Sequence, residues 1–143
     1  MNNLLETIEL EGDELVWTHN GIHCYIRRIQ LYGHLCGYCL VPKDNKLYKK
    51  PYNKIQSNVH GGITYSEIHD FSGINGWWIG FDCCHGDDLM PYMKPQGFEA
   101  VVCNLVDLFD GTLGSEKTYK TMNFAQVECN KLAEEILNNK ENI

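Results

Sequence analysis

The sequence lacks the common short motifs of phosphate-binding, cofactor-binding and hydrolytic sites. It contains no P-loop, no G-x-G-x-x-G, no G-x-S-x-G and no H-E-x-x-H. The familiar cofactor classes therefore have no support. No apolar run approaches the ~18 residues of a membrane span. The segment from Met1 to Trp17 holds five acids and no base, the wrong sign for a signal or transit peptide, so we expect a cytoplasmic protein with no membrane partner.

Basic residues are also scarce, and they are unevenly placed. The 12 Lys and Arg residues face 19 Asp and Glu residues, which gives a net charge of -7 and argues against coating a long nucleic acid. The segment from His23 to His60 nevertheless holds seven bases and one acid, so it carries +6 and leaves -13 for the rest of the chain. This asymmetry predicts a local site for a small anion.

The composition is that of an ordinary globular chain. Of the 143 residues, 43% are hydrophobic and 22% charged, which predicts one domain over residues 1–143 with a core of its own. The seven cysteines should remain reduced thiols in a protein without an export signal, so neither a disulfide framework nor a metal is needed for stability.

The first half of the chain reads as short strands and tight turns. Thr7–Leu10 and Glu14–Thr18 are predicted to form a first hairpin, and Asn20-Gly21 is typical of a type I′ turn into the next strand. The alternation of apolar residues in that strand shifts by one position across Arg27-Arg28, which predicts a β-bulge. Strands are also predicted at His34–Val41 and Trp77–Cys83, with a long loop over 46–58.

The last element is an amphipathic helix. Six apolar residues form one stripe at helical spacing, and Asn123 is in position to cap the helix. These residues are Met122, Ala125, Cys129, Leu132, Ala133 and Ile136. The segment 98–108 fits a strand or a short helix equally well. The predicted fold class is therefore α+β, with a largely antiparallel sheet and the C-terminal amphipathic helix packed on it.

The densest polar cluster surrounds two histidines. His60-Gly61-Gly62, Glu67 and the run from Asp82 to Asp88 combine imidazoles, carboxylates and glycines that allow close backbone approach. If these residues meet, His60, Glu67, Asp82 and His85 would form a general acid–base site, and Asp82 with His85 would be the place for a divalent metal. The alternative is structural, with Asp82 and His85 bracing a turn. We assign no cofactor from the sequence.

The basic segment suggests a ligand site. Guanidinium groups bind phosphate bidentately, lysines add charge, and aromatic rings offer a stacking face for a base. The alternative for the lysines is a solvated face that keeps an edge strand soluble. The predicted ligand-binding residues are Arg27, Arg28, Lys43, Tyr48, Gly61, Gly62, Tyr65 and Trp78.

Cysteine spacing offers half of a zinc site. Cys36-Gly37-Tyr38-Cys39 contains C-x-x-C, but the adjacent Cys83 and Cys84 would point to opposite faces of a strand. A packing role is therefore favoured over zinc, and Cys24, Cys103 and Cys129 are expected in the core.

Several strings in the sequence resemble a small protein family found in tailed phages and bacteria. They are Leu35-Cys36-Gly37-Tyr38, Val41-Pro42, Leu47-Tyr48, and the motifs VHGGITY at 59–65 and WWIGFDC followed by His85 at 77–85. The similarity spans residues 22 to 140 and names a family, not a reaction. It implies that His60, Gly61, Gly62, Trp78, Asp82 and His85 share one patch.

Three functions follow as hypotheses. The first is a phage-type accessory protein, acting against host defence in the host cytoplasm by binding a small anionic, nucleotide-like ligand. The second is a hydrolase that acts on a phosphoester-type bond through its His, Asp and Glu residues, with or without metal. The third is an inhibitor that binds a host protein through its acidic surface. A homo-oligomer is compatible with all three.

Overall fold

The computed structural model describes residues 3–86, 88–92 and 117–139. Its helices and strands are α1 (Asn3–Glu11), β1 (Glu14–His19), β2 (Ile22–Arg28), β3 (Leu35–Val41), β4 (Tyr65–Phe71), β5 (Ile74–Asp82) and α2 (Met122–Asn138), with a 3-10 turn at Tyr52–Lys54. The predicted fold class is confirmed. No helix among these residues is long and apolar enough to cross a membrane.

The five strands form one antiparallel sheet in the order β1-β2-β3-β5-β4. Strand β5 returns between β3 and β4, so β4 lies at an edge of the sheet that the described residues form. Cys36 pairs with Asp82 at one end of the β3–β5 ladder, and Val41 pairs with Trp77 at the other. This register places the carboxyl end of β5, with the polar run that follows it, at one end of the sheet.

One face of the sheet packs against α2. Ile26, Ile79 and Phe81 are buried on this face beside Leu132 and Ile136 of the helix. The predicted apolar stripe of α2 is the buried side of the helix, because all six of its residues lie in the core. Helix α2 therefore forms the layer against which the neighbouring loops pack.

The opposite face of the sheet carries a separate aromatic cluster. Tyr25, Tyr38 and Trp78 are buried there, and the ring of Phe71 lies 5.0 Å from that of Tyr25 and 4.5 Å from that of Tyr38. Burial on both faces explains why the apolar residues of β2 do not alternate regularly. The predicted β-bulge is wrong, since Arg27 and Arg28 pair with consecutive β3 residues in an unbroken ladder, and a strand buried on both sides need not alternate.

The amino-terminal segment is helical rather than extended. Thr7–Leu10 belongs to α1, so the predicted first hairpin is wrong. Ile8 is buried and Leu10 is 88% exposed, whereas a strand would point both residues to the same face. The sequence pattern of four residues alone fits either structure. The helix ends at Gly12, whose φ of 80° and N–H bond to the Ile8 carbonyl form a left-handed cap.

Turns and caps follow local chemistry. The Asn20-Gly21 turn has positive φ at both residues, as predicted. The cap of α2 differs from the prediction, because Thr121, not Asn123, accepts a 3.1 Å hydrogen bond from the Phe124 N–H. The segment 98–108 and Cys103 lie outside the described residues.

Candidate functional site

The two histidines of the polar cluster meet at the end of the sheet beside the first turns of α2. His60 follows the long basic loop, and His85 follows β5 by three residues. The backbone N–H of His60 donates a 2.8 Å hydrogen bond to Glu128, and its ring packs edge-on against Phe124, with the ring centres 5.1 Å apart. Helix α2 therefore holds His60, while the sheet holds His85.

Both imidazoles converge on Asp88, which is completely buried. The Nε2 atom of His60 lies 2.9 and 2.8 Å from the two carboxylate oxygens of Asp88, and the Nδ1 atom of His85 lies 2.9 Å from Oδ2. The Lys120 ammonium lies 2.9 Å from Oδ1, and the His85 backbone N–H donates to Oδ2 at 3.0 Å. We call His60, His85, Asp88 and Lys120 the Asp88 cluster.

The surroundings of Asp88 keep it ionised. Burial alone would raise its pKa, but hydrogen bonds from His60, Lys120 and His85 outweigh burial and hold the pKa of this carboxyl well below its usual range. An ionised carboxylate only accepts hydrogen bonds. The ring nitrogens that face Asp88 therefore carry the protons, and in the neutral imidazoles the outer nitrogens, Nδ1 of His60 and Nε2 of His85, are the basic ones.

A second carboxylate lies beside the outer nitrogen of His85. Asp82 Oδ1 is 3.6 Å from His85 Nε2. Asp82 is itself held by the Thr64 hydroxyl, which donates to Oδ2 at 2.9 Å, and by the Cys84 N–H, which donates to Oδ1 at 3.1 Å. His85 thus stands between two carboxylates, while its side chain remains 30% exposed.

The glycine after His60 allows the two histidine loops to touch. Gly61 has a φ of 70°, and a Cβ added to it would overlap with Cε1 and Nε2 of the His85 ring. Gly62 has a similar φ of 79°, but a Cβ there would have no neighbour within 4 Å among the described residues. The sequence therefore needs glycine at 61 for close approach to the imidazole and at 62 for backbone conformation alone.

The donor atoms of the cluster could also ligate a metal ion. One ligand atom from each of His60, His85 and Asp88 lies within 4.8 Å of the other two. In the structure described here, the Lys120 ammonium is the cation that neutralises Asp88.

The predicted catalytic residues are partly brought together. His60 and His85 share Asp88, and Asp82 flanks His85. Glu67 lies apart, because it is an exposed residue of edge strand β4 and pairs with Trp78. Sequence reasoning did not assign Asp88 and Lys120. The H-x-x-D spacing could have indicated Asp88, since the Asp88 N–H bonds back to the His85 carbonyl, whereas nothing local indicates Lys120.

Arg28 is committed to structure. Its side chain is fully buried and donates to Asp13, to the Tyr119 hydroxyl and to the Gly12 and Gly33 carbonyls, with Glu11 3.4 Å away. Its neighbour Arg27 lies on the opposite, aromatic face, where its guanidinium packs on Tyr38 and Phe71. The two arginines therefore do not face one ligand.

The other predicted ligand residues are dispersed. Trp78 is 1% exposed and its indole N–H donates to the Ile74 carbonyl, so it is a core residue rather than a stacking surface. Tyr65 is half-buried against Tyr38. Lys43 is exposed in the turn after β3, and Tyr48 packs near Trp77. Of the predicted ligand group, only Gly61 and Gly62 adjoin the Asp88 cluster.

The C-x-x-C pair does not form half of a zinc site. Cys36 lies on the aromatic face, whereas Cys39 lies on the helix-covered face, so their thiols point away from each other. Burial raises the pKa of Cys36 to about 12 and raises that of Cys39 as well, which disfavours the thiolate that zinc requires. Cys24 and Cys129 are fully buried, as expected of core residues.

Comparisons of the chain with protein-family models, with curated proteins and with solved structures gave no match. The resemblance to a phage and bacterial family therefore stays a prediction. Function has to be argued from the Asp88 cluster itself.

Proposed function

We propose that this protein is a hydrolase that cleaves a phosphoester bond with two histidines acting as general base and general acid. The observation that carries the proposal is the convergence of His60 and His85 on the buried Asp88, each at 2.8 to 2.9 Å. A buried carboxylate on the inner nitrogen of an imidazole fixes its tautomer and leaves the outer nitrogen free for proton transfer.

His85 is the better candidate for the base. Its side chain is 30% exposed, against 17% for His60, and the Asp82 carboxylate lies beside its outer nitrogen. In the proposed step, Nε2 of His85 takes a proton from water while the water oxygen bonds to phosphorus. The imidazolium that forms lies between Asp82 and Asp88, which stabilise its charge.

His60 then serves as the acid. When both of its ring nitrogens are protonated, the imidazolium is stabilised by Asp88, and its outer N–H is available to the leaving oxygen. The bond between phosphorus and that oxygen breaks, and the proton of His60 completes the alcohol product. The products are a phosphate ester or phosphate, which gains the water oxygen, and an alcohol, which gains a proton.

Charge supports an anionic substrate. The +6 segment of the sequence ends at His60, whereas the Lys120 ammonium is already paired with Asp88, so the support comes from the basic segment. Sequestration of a nucleotide-like ligand rests on residues that are dispersed in the described part of the chain, and inhibition of a host protein through an acidic surface has no specific observation in its favour. A phage origin and a role against host defence remain predictions that the hydrolase would be compatible with.

The test uses the purified protein with bis(4-nitrophenyl) phosphate, 4-nitrophenyl phosphate and linear and cyclic dinucleotides. His60→Ala and His85→Ala should each lower the rate by about 100-fold or more, the usual contribution of a general acid or base. Glu67→Gln is the matched control, because Glu67 is an exposed carboxylate outside the cluster, and it should retain the wild-type rate. Thermal unfolding establishes that each variant is folded.

The mechanism assigns proton transfer to histidines alone, so turnover should persist in excess EDTA. Full activity in both histidine variants would contradict the proposal. Absence of turnover across all these phosphoesters by the wild-type protein would do so too.

A further inference from the structure

We propose that the Asp88 cluster binds a transition-metal ion of the Zn²⁺ class through His60, His85 and Asp88, in electrostatic competition with the Lys120 ammonium, and that the ion inhibits the site. This metal binding is argued from the positions of the ligand atoms and does not require hydrolysis. Only the inhibitory consequence rests on the proposed function.

The spacing of the ligand atoms suits a tetrahedral ion. His60 Nε2 and His85 Nδ1 each lie 2.8 to 2.9 Å from an Asp88 oxygen. With metal–ligand bonds of about 2.0 to 2.1 Å, neighbouring ligands of a tetrahedral ion lie roughly 3.3 Å apart. Accommodating the ion therefore requires each nitrogen–oxygen distance to lengthen by only a few tenths of an ångström, and the two nitrogens already lie within 4.8 Å of each other.

The ligand types favour a transition metal over Mg²⁺ or Ca²⁺. Two imidazoles and one carboxylate suit zinc, iron, nickel and copper, whereas magnesium and calcium prefer oxygen ligands throughout. Three protein ligands also leave a position for water.

The groups around the cluster provide the support that metal-binding histidines usually have. Ligation by His85 Nδ1 moves the ring proton to Nε2, which lies 3.6 Å from Asp82 Oδ1. Asp82 is fixed by Thr64 and by the Cys84 N–H, so it can orient the ring as a carboxylate–histidine–metal arrangement requires. The same proton shift converts the outer nitrogen of His85 from a base into a donor, and this is why bound metal should inhibit.

Lys120 competes with the metal for the negative charge of Asp88. Its ammonium contacts Asp88 Oδ1 at 2.9 Å and also donates to the carbonyl and the hydroxyl of Thr118. The two histidine nitrogens converge on Oδ2, the other oxygen of the same carboxylate, so an ion bound there and the ammonium on Oδ1 would lie close together and repel each other. Metal binding therefore opposes the contact between Lys120 and Asp88, and removal of the Lys120 charge should tighten binding.

The test is calorimetric titration of the wild-type protein with ZnCl₂ and, separately, MgCl₂, without substrate. One Zn²⁺ should bind per chain, with no comparable binding of Mg²⁺. His60→Ala and His85→Ala should each weaken binding by at least 10-fold, and Lys120→Met should tighten it by a similar factor. His69→Ala is the matched control, since His69 is an exposed histidine on β4, and it should bind as the wild type does.

The Lys120→Met result keeps the test meaningful if a histidine variant fails to fold. Absence of Zn²⁺ binding by the wild-type protein, equal binding of Mg²⁺, or unchanged affinity in folded His60→Ala and His85→Ala variants would overturn the metal site. Binding without any phosphoester hydrolysis would leave the metal site intact and refute only the proposed function. If hydrolysis occurs, activation rather than inhibition by Zn²⁺ would overturn the inhibitory role.

Discussion

The α-carbon of Gly61 lies so close to the His85 ring that a methyl group there would overlap with Cε1 and Nε2. Through this contact, the loop that carries His60 determines where His85 can lie. Because Nε2 is the nitrogen that we assign as the general base, the absence of a side chain at position 61 is part of the site.

The first prediction compares Gly61→Ala with Gly62→Ala. Both residues have positive φ, so both substitutions carry a backbone cost of about 1 kcal/mol. Only Gly61→Ala must also push the His85 ring away. We expect comparable backbone penalties but a selective loss of phosphoesterase activity, and of Zn²⁺ affinity, in Gly61→Ala. Equal loss of both properties in the two variants would refute the contact.

The second prediction concerns Asp88 and pH. The depressed pKa of Asp88 means that its contribution to stability is complete above the ordinary value of 3.8 and is lost as the pH falls below it. Asp88→Asn should cost about 3 to 5 kcal/mol at pH 7, because it removes the charge that His60 and Lys120 face. Urea unfolding between about pH 6 and pH 2 should show a shallower pH dependence for this variant than for the wild type.

Asp44→Asn is the control for that experiment, because Asp44 is exposed in the turn after β3. Its unfolding curve should match the wild type at pH 7. An Asp88→Asn protein with wild-type stability at neutral pH would show that the buried carboxylate is not paired as described.

The third prediction separates the two adjacent arginines. Arg28→Met leaves the largely buried Glu11 and the carbonyls of Gly12 and Gly33 without their donor and should lower the free energy of unfolding by about 3 to 5 kcal/mol. Arg27→Met loses a cation–π contact and one hydrogen bond to Tyr38, which together are worth about 1 to 2 kcal/mol. Urea denaturation of both variants at pH 7 measures the difference, and a larger cost for Arg27→Met would contradict the assignment.

The fourth prediction tests the cap of α2. Thr121→Ala removes the hydroxyl that accepts from the Phe124 N–H and should cost about 1 kcal/mol. Asn123→Ala alters a residue inside the first turn and should be neutral or slightly stabilising, because Ala is the better helix former. Thermal unfolding compares the two, and the reverse order of stabilities would restore Asn123 as the cap.

Several errors of the sequence interpretation share one cause, which is that local patterns do not show what covers a segment. The alternation at Thr7–Leu10 fits a strand as well as one turn of helix with Ile8 inward. The change in apolar alternation at Arg27-Arg28 suggested a bulge, because a strand with one buried face alternates strictly. Adjacent residues of a strand point to opposite faces, so the two arginines could have been separated from the sequence alone.

The sequence by itself determined the elements whose signals are local. The Asn20-Gly21 turn follows from backbone conformation, the buried stripe of α2 from helical periodicity, and the polar cluster from the density of His, Asp and Gly between 60 and 88. Only the tertiary structure decided which of these polar groups form a site. Asp88 lies 28 residues from His60 and Lys120 lies 32 from Asp88, and packing of the loops against the sheet end and α2 brings them within 3 Å. Sequence patterns carry no information on such distances, because they depend on how separate elements pack.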